Sequence, residues 1–261
     1  FHILGKEVSG YWLMTVVGIA FVMGVSFLRC KKSHRSFLDQ VYFLVFCMLG
    51  MLAGAKVLAW LISLPYIIAN IGSIFQSIES FLTFLGSGFV FYGGLFGVFG
   101  GCVVYRWFFK EDVISYMQIS VILIPIFHFW GRIGCFLTGC CHGIVSEKWG
   151  IAFTNAPYTP NGIPYVPVQL IEAAGNLVIL VILLIYERKP HRELSNGGVY
   201  LLCYGVMRFV LEFLRGDSER GYFWILSTSQ WISIVVVGLG LYLLFGKERK
   251  LLNVFRVKKA E

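Results

Sequence analysis

GYWLMTVVGIAFVMGVSFLR, residues 10–29, is a run of twenty residues whose only charged side chain is the arginine at its end. A helix needs about 20 mostly apolar residues to cross the hydrocarbon core of a bilayer. The run has this length and therefore predicts a membrane-spanning helix. A positive cluster follows it without a small-residue cleavage pattern, so we expect an anchor and not a removable signal peptide.

The rest of the chain repeats this pattern. Of its 261 residues, 57% are hydrophobic and 14% are charged, and the mean hydropathy is +0.76, which is far above the range of soluble domains. The apolar lengths predict seven spans, at about 10–29, 41–63, 88–106, 113–131, 167–186, 197–216 and 228–245. The predicted fold is an all-α, polytopic membrane protein with a single transmembrane domain over residues 1–261.

The basic residues lie in short runs beside the apolar spans, at 29–35, 106–110, 188–192 and 247–259. These runs occupy alternate loops, and positive loops favour the cytoplasmic side. We therefore expect the N-terminus outside and the C-terminus in the cytoplasm. The net charge of +8 does not indicate nucleic-acid binding, because the runs cannot form a basic face on a folded soluble module.

The segment at about 132–166 is external in this topology. It is rich in glycine, asparagine and proline, which are residues that favour turns. We expect an ordered, turn-rich cap over the outer end of the helices.

YGVMRFVLEFLRGD, residues 204–217, places charged side chains inside the sixth predicted span. On a helix, the positions of Tyr204, Arg208, Glu212 and Arg215 share one face. Charges in the hydrocarbon are costly unless they pair or meet water, so this face should point into the bundle or into a wet cavity. A purely structural ion pair is the alternative for Arg208 and Glu212.

Other predicted spans also carry polar groups. His128 and Arg132 lie four residues apart in the fourth, Lys56 lies in the second, and Gln169 and Glu172 begin the fifth. Positive charge prevails in the whole set, and the planar fork of arginine binds phosphate with two hydrogen bonds. We therefore predict a site for an anionic ligand such as a phospholipid head group near the outer leaflet.

At these residues the chain resembles the prolipoprotein diacylglyceryl transferase family, whose members move a diacylglyceryl group from phosphatidylglycerol to the cysteine of a prolipoprotein in the bacterial inner membrane. The matching pieces are GYWLMTVVG (10–18), GAK (54–56), SGFVFYGGLFG (87–97), GRIGCF (131–136), PVQLIEA (167–173), YGVMRFVLEFLRGD (204–217) and Gln230. The resemblance implies a seven-span, N-outside transferase in the inner membrane, with these two substrates and no cofactor.

The resemblance also implies roles for single residues. Arg132 matches the arginine of the family's GRxGNF signature, Arg208 and Glu212 match its YGxxRxxxE motif, and Tyr11 matches a tyrosine on the first span. The expected phospholipid-binding residues are Arg132, Arg208, Lys56, Tyr11, Tyr204, Gln169 and Arg215. The residues expected to take part in catalysis are Arg132, Arg208, Glu212, His128, Tyr92 and Cys140.

Two departures from the family pattern concern the acceptor. Tyr92 stands where the family usually has a histidine, and tyrosine, with a pKa of about 10, is a poor base at neutral pH. GCFLTGC replaces GNFxNxE, which puts Cys135, Thr138 and Cys140 where the family has two asparagines and a glutamate. These changes imply a divergent, cysteine-containing paralogue whose acceptor need not be a prolipoprotein. His128 is our preferred substitute for the missing base.

Cys135, Cys140 and Cys141 cluster with His142 and allow several interpretations. One thiol could be a nucleophile with its pKa lowered by Arg132 or His142. A disulfide such as Cys135–Cys140 could cross-link and stabilise the external cap. Zinc is disfavoured because two adjacent cysteines are awkwardly placed to bind one ion, so no metal is assigned. Two other classes of function also stay open: a lipid-binding or transporting protein on the same fold, and a thiol-redox protein that uses these cysteines.

Overall fold

The computed structural model describes residues 2–3, 6–7, 9–86, 90–216 and 222–246. In chain order, its elements are β1 (His2–Ile3), β2 (Lys6–Glu7), α1 (Gly10–Lys32), α2 (Phe37–Ile62), α3 (Leu64–Ala69), α4 (Ile71–Ile74), α5 (Ile78–Gly86), α6 (Phe91–Phe109), α7 (Val113–Thr138), β3 (Ile151–Ala152), β4 (Pro164–Tyr165), α8 (Val168–Tyr186), α9 (Ser195–Leu211), a 3-10 turn (Glu212–Leu214), β5 (Tyr222–Phe223), β6 (Leu226–Ser227) and α10 (Thr228–Phe245). The strands form three separate antiparallel hairpins, and helices dominate the fold.

Six helices within the described residues are long and apolar enough to cross a membrane: α1, α2, α7, α8, α9 with its 3-10 turn, and α10. They confirm the prediction of an all-α, polytopic membrane protein. The bounds of α8 and α10 agree closely with the predicted spans at 167–186 and 228–245. The predicted span at 88–106 corresponds to α6, whose described apolar part, Gly93–Phe109, is shorter than the other six.

Helix α7 extends beyond the predicted end of the fourth span, near residue 131. It continues to Thr138, so Cys135 lies on the helix and not in the segment that follows it. Arg132 lies on the same helix as His128, as predicted. The helix ends before Gly139, whose φ of 75° is left-handed and suits glycine at a helix C-terminus.

The sixth span also ends earlier than predicted. Helix α9 stops at Leu211, the 3-10 turn follows, and Arg215 has an extended backbone that pairs with Gly143. The prediction that Arg215 shares one helical face with Tyr204 and Arg208 is therefore wrong. Pairing with the segment after α7 replaces the last helical turn.

The described residues divide into two compact units. One contains the residues up to Ser33 and those from Met117 onward, and the other contains His34–Tyr116. In the second unit, α2 and α6 approach through glycines. A Cβ atom on Gly54 or Gly97 would collide with the backbone of the facing helix, so only glycine permits this contact.

The core of the first unit lies between α7, α8 and α9. Its buried side chains are Ile122, Ile126, Ile179, Leu183, Val199 and Tyr200. Helix α10 packs on α9 through small residues, since a Cβ atom on Gly198 would lie 2.9 Å from the carbonyl oxygen of Gly240. This packing brings the polar ends of four helices together.

Backbone hydrogen bonds order the segment between α7 and α8. Strands β3 and β4 form a hairpin, and the Gly143 N–H donates to the carbonyl oxygen of Val166 at 2.8 Å. The Ile144 N–H donates to the Leu214 carbonyl at 3.0 Å. The segment is thereby tied both to the start of α8 and to the 3-10 turn after α9.

Candidate active site

A buried ion pair joins α7 to α8. Arg132 Nη2 donates to Glu172 Oε1 at 2.9 Å, and the Glu172 side chain is fully buried. A carboxylate without solvent needs a cation and hydrogen bonds to stay charged. Sequence reasoning placed both residues in spans but did not pair them. The available signal was the glutamate itself, because a charge in an apolar run requires a partner from another helix.

Tyr204 connects this pair to α9. Its hydroxyl donates to Glu172 Oε1 at 3.4 Å, and its ring stacks on His128 with 5.1 Å between the ring centroids. The Tyr200 ring also stacks on Tyr204, with 5.7 Å between the ring centroids. Three helices thus meet at the Glu172 carboxylate, and His128 lies one turn before Arg132 on α7.

A second ion pair lies at the end of α9. Arg208 Nη2 lies 2.6 Å from Glu212 Oε2, which confirms the predicted pairing. Glu212 Oε1 also accepts a hydrogen bond from the Ser227 hydroxyl at 2.9 Å, and Arg208 Nη2 donates to the Ser229 hydroxyl at 3.3 Å. The sequence did not identify the two serines, because they reach the pair only through the packing of α10 on α9.

The two arginines keep spare hydrogen-bonding capacity. Among the described residues, the buried atoms Arg132 Nε, Arg208 Nη1 and His128 Nδ1 have no hydrogen-bond partner. Buried donors without partners are costly and uncommon. Guanidinium donors match the oxygens of a phosphate in geometry and charge. The site is therefore suited to bind an anion that supplies several oxygen atoms.

Three cysteines lie beside the first ion pair. The Sγ atoms of Cys135, Cys140 and Cys141 are within 4.8 Å of one another. All seven cysteines are free thiols, so the Cys135–Cys140 disulfide considered above is not present in the structure. The Gln169 side-chain amide donates to the Cys140 carbonyl at 2.7 Å. This contact fixes the cluster to α8.

The thiols of the cluster are not equivalent. Cys135 is buried, whereas Cys140 and Cys141 are half-buried. Hydrogen bonds with Cys135 and Cys140 lower the pKa of the Cys141 thiol, and the Arg215 guanidinium lowers it further. The Cys141 thiol therefore becomes a thiolate more readily than an ordinary cysteine does.

The model of the prolipoprotein diacylglyceryl transferase family matches residues 1–246. The chain belongs to this family. A relative from Clostridium tetani, named phosphatidylglycerol–prolipoprotein diacylglyceryl transferase, is 34% identical over 247 residues, which cover 93% of this chain and 94% of the relative. A relative from Clostridium perfringens, whose name ends in "transferase 2", is 28% identical and covers 93% and 92%. One from Pseudoalteromonas translucida is 32% identical and covers 90% and 87%.

Three further residues that the sequence analysis assigned to the site of this diacylglyceryl transferase family member lie outside the two ion pairs. Tyr11, on α1, packs against Gly134 of α7. A Cβ atom added to Gly134 would lie 3.2 Å from the Tyr11 ring, so the two helices are close here. Lys56 lies in the unit of α2 and α6, and its amine donates to the Phe84 carbonyl at 2.7 Å. Tyr92 is in α6, but its side chain lies outside the described part of the structure.

Proposed function

We propose that the protein transfers the diacylglyceryl group of phosphatidylglycerol to the cysteine thiol of a prolipoprotein. The observation that carries the proposal is the pair of buried guanidinium groups, Arg132 and Arg208, each held by a carboxylate and each with a donor to spare. The chain belongs to a family in which the names of the relatives contain both the lipid donor, phosphatidylglycerol, and the protein acceptor, a prolipoprotein.

The reaction explains why two arginines are useful. The acceptor sulfur attacks the glycerol carbon that bears the phosphate, a carbon–sulfur bond forms, and the carbon–oxygen bond breaks. The oxygen keeps the bonding electrons and leaves as glycerol phosphate, so the phosphate changes from a monoanion to a dianion. Fixed cations stabilise this developing charge more strongly than they stabilise the bound lipid, and this difference accelerates the reaction.

The remaining residues have supporting roles in the proposal. Glu172 and Glu212 hold the two guanidinium groups in place, and Tyr204 fixes the Glu172 carboxylate. Gln169, Tyr11 and Arg215 complete the surroundings of the lipid head group, and Cys140 takes part at the acceptor side. His128 assists proton transfer. The roles of Lys56 and Tyr92 stay predictions.

We also propose a placement in the membrane. In this proposal α6 is a seventh span, the N-terminus is outside, the C-terminus is cytoplasmic, and the membrane is the bacterial inner membrane. The alternate basic loops support this orientation, although the last basic run, 247–259, lies outside the described residues. The external position of the segment between α7 and α8, and the single domain over 1–261, stay predictions.

The test uses the full-length protein in vesicles that contain phosphatidylglycerol with labelled acyl chains. The acceptor is a peptide with the cysteine of a prolipoprotein, and the matched control peptide has serine in its place. We expect labelled thioether on the cysteine peptide alone, and none when phosphatidylcholine with the same chains replaces the donor. Binding of phosphatidylglycerol without any transfer would contradict the proposal and favour the lipid-binding alternative.

A further inference from the structure

The chemistry above places Cys140 at the acceptor side without saying what the three clustered thiols do there. We propose that Cys135, Cys140 and Cys141 form a zinc site, and that the open fourth position of the metal binds the acceptor's thiol as a thiolate. The first half stands on the geometry of the cluster alone. The second half rests on the proposed function, because it assigns the acceptor to this site.

The sulfur positions suit a tetrahedral metal. The three Sγ atoms lie within 4.8 Å of one another. With zinc–sulfur bonds of about 2.3 Å, ligand sulfurs in a tetrahedral site lie about 3.8 Å apart. Small side-chain rotations would close the difference. Cysteine thiolates are common ligands of structural zinc and also occur in catalytic zinc sites.

The backbone explains how two adjacent cysteines can bind one ion. Cys141 has a φ of 60° and Gly139 has a φ of 75°, so two left-handed residues flank Cys140. This conformation is uncommon for a residue with a side chain, and it persists only where the surroundings hold it. Here it turns both sulfurs back towards Cys135 on the last turn of α7. The adjacent spacing that disfavoured zinc in the sequence is therefore no obstacle.

Neighbouring groups hold the cluster in this shape. The Thr138 hydroxyl donates to the carbonyl oxygens of Gly134 and Cys135, at 3.1 and 3.2 Å. The Gln169 amide fixes the Cys140 carbonyl. A Cβ atom on Gly139 would collide with Ala156, so no other residue fits there. The site is supported on both sides of the loop.

The cluster offers three ligands and leaves one position open. Cys135 is buried, whereas Cys140 and Cys141 are half-buried, so a ligand can approach the cluster from the side of these two residues. His142 does not belong to the group of ligand atoms, and its Nδ1 lies 2.9 Å from the Gly143 carbonyl oxygen. Three protein ligands with an open fourth position are typical of catalytic zinc.

The charges around the cluster balance such a site. Zinc with three thiolates carries one net negative charge, which needs a nearby cation in a region of low dielectric. Arg132 lies one helical turn before Cys135, and the Arg215 guanidinium is within hydrogen-bonding reach of Cys141. Because Glu172 already neutralises Arg132, Arg215 is the cation that balances the site.

The open position lies beside the proposed phosphate site. Cys135 is three residues after Arg132 on α7, and Gln169, which contacts Cys140, is three residues before Glu172 on α8. Residues three apart on a helix are neighbours, with about 5–6 Å between their Cβ atoms. A thiolate in the fourth position would thus be close to the lipid held by Arg132.

Metal binding would supply the acceptor activation that the replaced family residues no longer provide. A thiol that coordinates zinc loses its proton outright, and here the proton passes to water at the accessible side of the cluster. The thiolate sulfur then forms the bond to the glycerol carbon, and the electrons of the broken carbon–oxygen bond leave with the glycerol phosphate. The step involves no oxidation or reduction. The thioether product is a weaker ligand than the thiolate and dissociates.

Zinc content tests the first half of the proposal. The purified full-length protein is reduced, stripped with a chelator, loaded with Zn²⁺ alone and desalted. We expect about one retained zinc ion per chain with sulfur neighbours at about 2.3 Å by X-ray absorption. Cys140→Ser and Cys141→Ser should weaken retention about 100-fold or more, since supporting residues alone contribute 10- to 100-fold. The matched control Cys203→Ser, on α9, should retain the metal.

A wild-type protein that retains no zinc would overturn the site, and this result does not depend on the folding of any variant. Zinc that survives both Cys140→Ser and Cys141→Ser, or a disulfide within the cluster that forms in place of metal binding, would also overturn it.

The acceptor tests the second half. Adding the cysteine peptide should raise the number of sulfur neighbours of the zinc from three to four, whereas the serine peptide should not. An unchanged number would overturn acceptor binding at the metal. Transfer by zinc-free protein would refute acceptor activation by the metal and leave the transferase function intact. Zinc retention without any transfer would leave the metal site and refute the function.

Discussion

Two glutamates at opposite ends of α8, Glu172 and Glu187, are about 22 Å apart along the helix and form two different kinds of ion pair. Glu187 accepts hydrogen bonds from both terminal nitrogens of Arg29, at 2.8 and 2.5 Å. Glu172 contacts Arg132 through one oxygen, and its Oε2 has no partner among the described residues. Arg29 Nε, like Arg132 Nε, has no hydrogen-bond partner among the described residues, so the two pairs differ in their carboxylates. The first pair is closed, because both oxygens of Glu187 are bonded, whereas the second is open, because one oxygen of Glu172 is not.

The surroundings of the two pairs explain the difference. Glu187 follows the last turn of α8, where the helix dipole disfavours a negative charge, and Arg29 offsets this cost. The side chains there are about one-fifth exposed, so water also helps. Glu172 is fully buried and has no such help. A fully buried carboxylate with an unpaired oxygen indicates function, and a partly exposed carboxylate with both oxygens bonded indicates a structural link between helices.

The largest expected effect comes from removing an arginine. Arg132→Gln should reduce diacylglyceryl transfer about 100- to 1,000-fold, because it removes a cation that stabilises the leaving phosphate. Arg29→Gln, at the other end of α8, should stay within about twofold of wild type, since distant sites act independently. Initial rates with labelled phosphatidylglycerol measure both. Equal losses in the two variants would contradict the assignment of different roles.

The next effect concerns the glutamates. Glu172→Gln keeps the size of the side chain but removes its charge, so Arg132 should lose its fixed position and transfer should fall about 10- to 100-fold. The loss should appear in kcat more than in the KM for the lipid, because the transition state needs the precise position. Glu187→Gln is the matched control. A change in KM alone would mean that Glu172 only helps lipid binding.

The closed pair should matter for stability instead. Arg29→Gln should lower the free energy of unfolding by about 1–2 kcal/mol, a value for charged hydrogen bonds reduced for partial exposure. Denaturant titration in detergent measures this, and the double variant with Glu187→Gln should show that the two losses are not additive. Fully additive losses would show that the contact contributes nothing to stability.

The smallest effect is expected at the tyrosine that supports the open pair. Tyr204→Phe removes a long hydrogen bond of 3.4 Å to Glu172 while keeping the stack on His128, so transfer should fall only about two- to fivefold. Tyr186→Phe, at the end of α8 that carries Glu187, serves as the control. A loss as large as that of Glu172→Gln would give Tyr204 a direct part in the reaction.

Local patterns in the sequence predicted much of the molecule. Apolar runs of membrane length identified the long helices, because the bilayer imposes that length on the chain itself. The Arg208–Glu212 pair was predictable because its members are one turn apart. The order of short motifs led to the family without any structure. The end of α9 was missed, because the strand-like pairing of Arg215 with Gly143 depends on a residue that is distant in the sequence.

The sequence by itself therefore determined that this chain is a helical membrane protein with buried charges and a family signature. Only the tertiary structure decided which charges meet. Arg132 and Glu172 are 40 residues apart, and Glu212 and Ser227 are 15 apart, and their contacts arise where helices pack. The three cysteines converge only because two left-handed residues turn the chain back after α7. Hydrogen bonds and ion pairs act over a few ångströms in space, whereas spacing along the chain records proximity only within one helix.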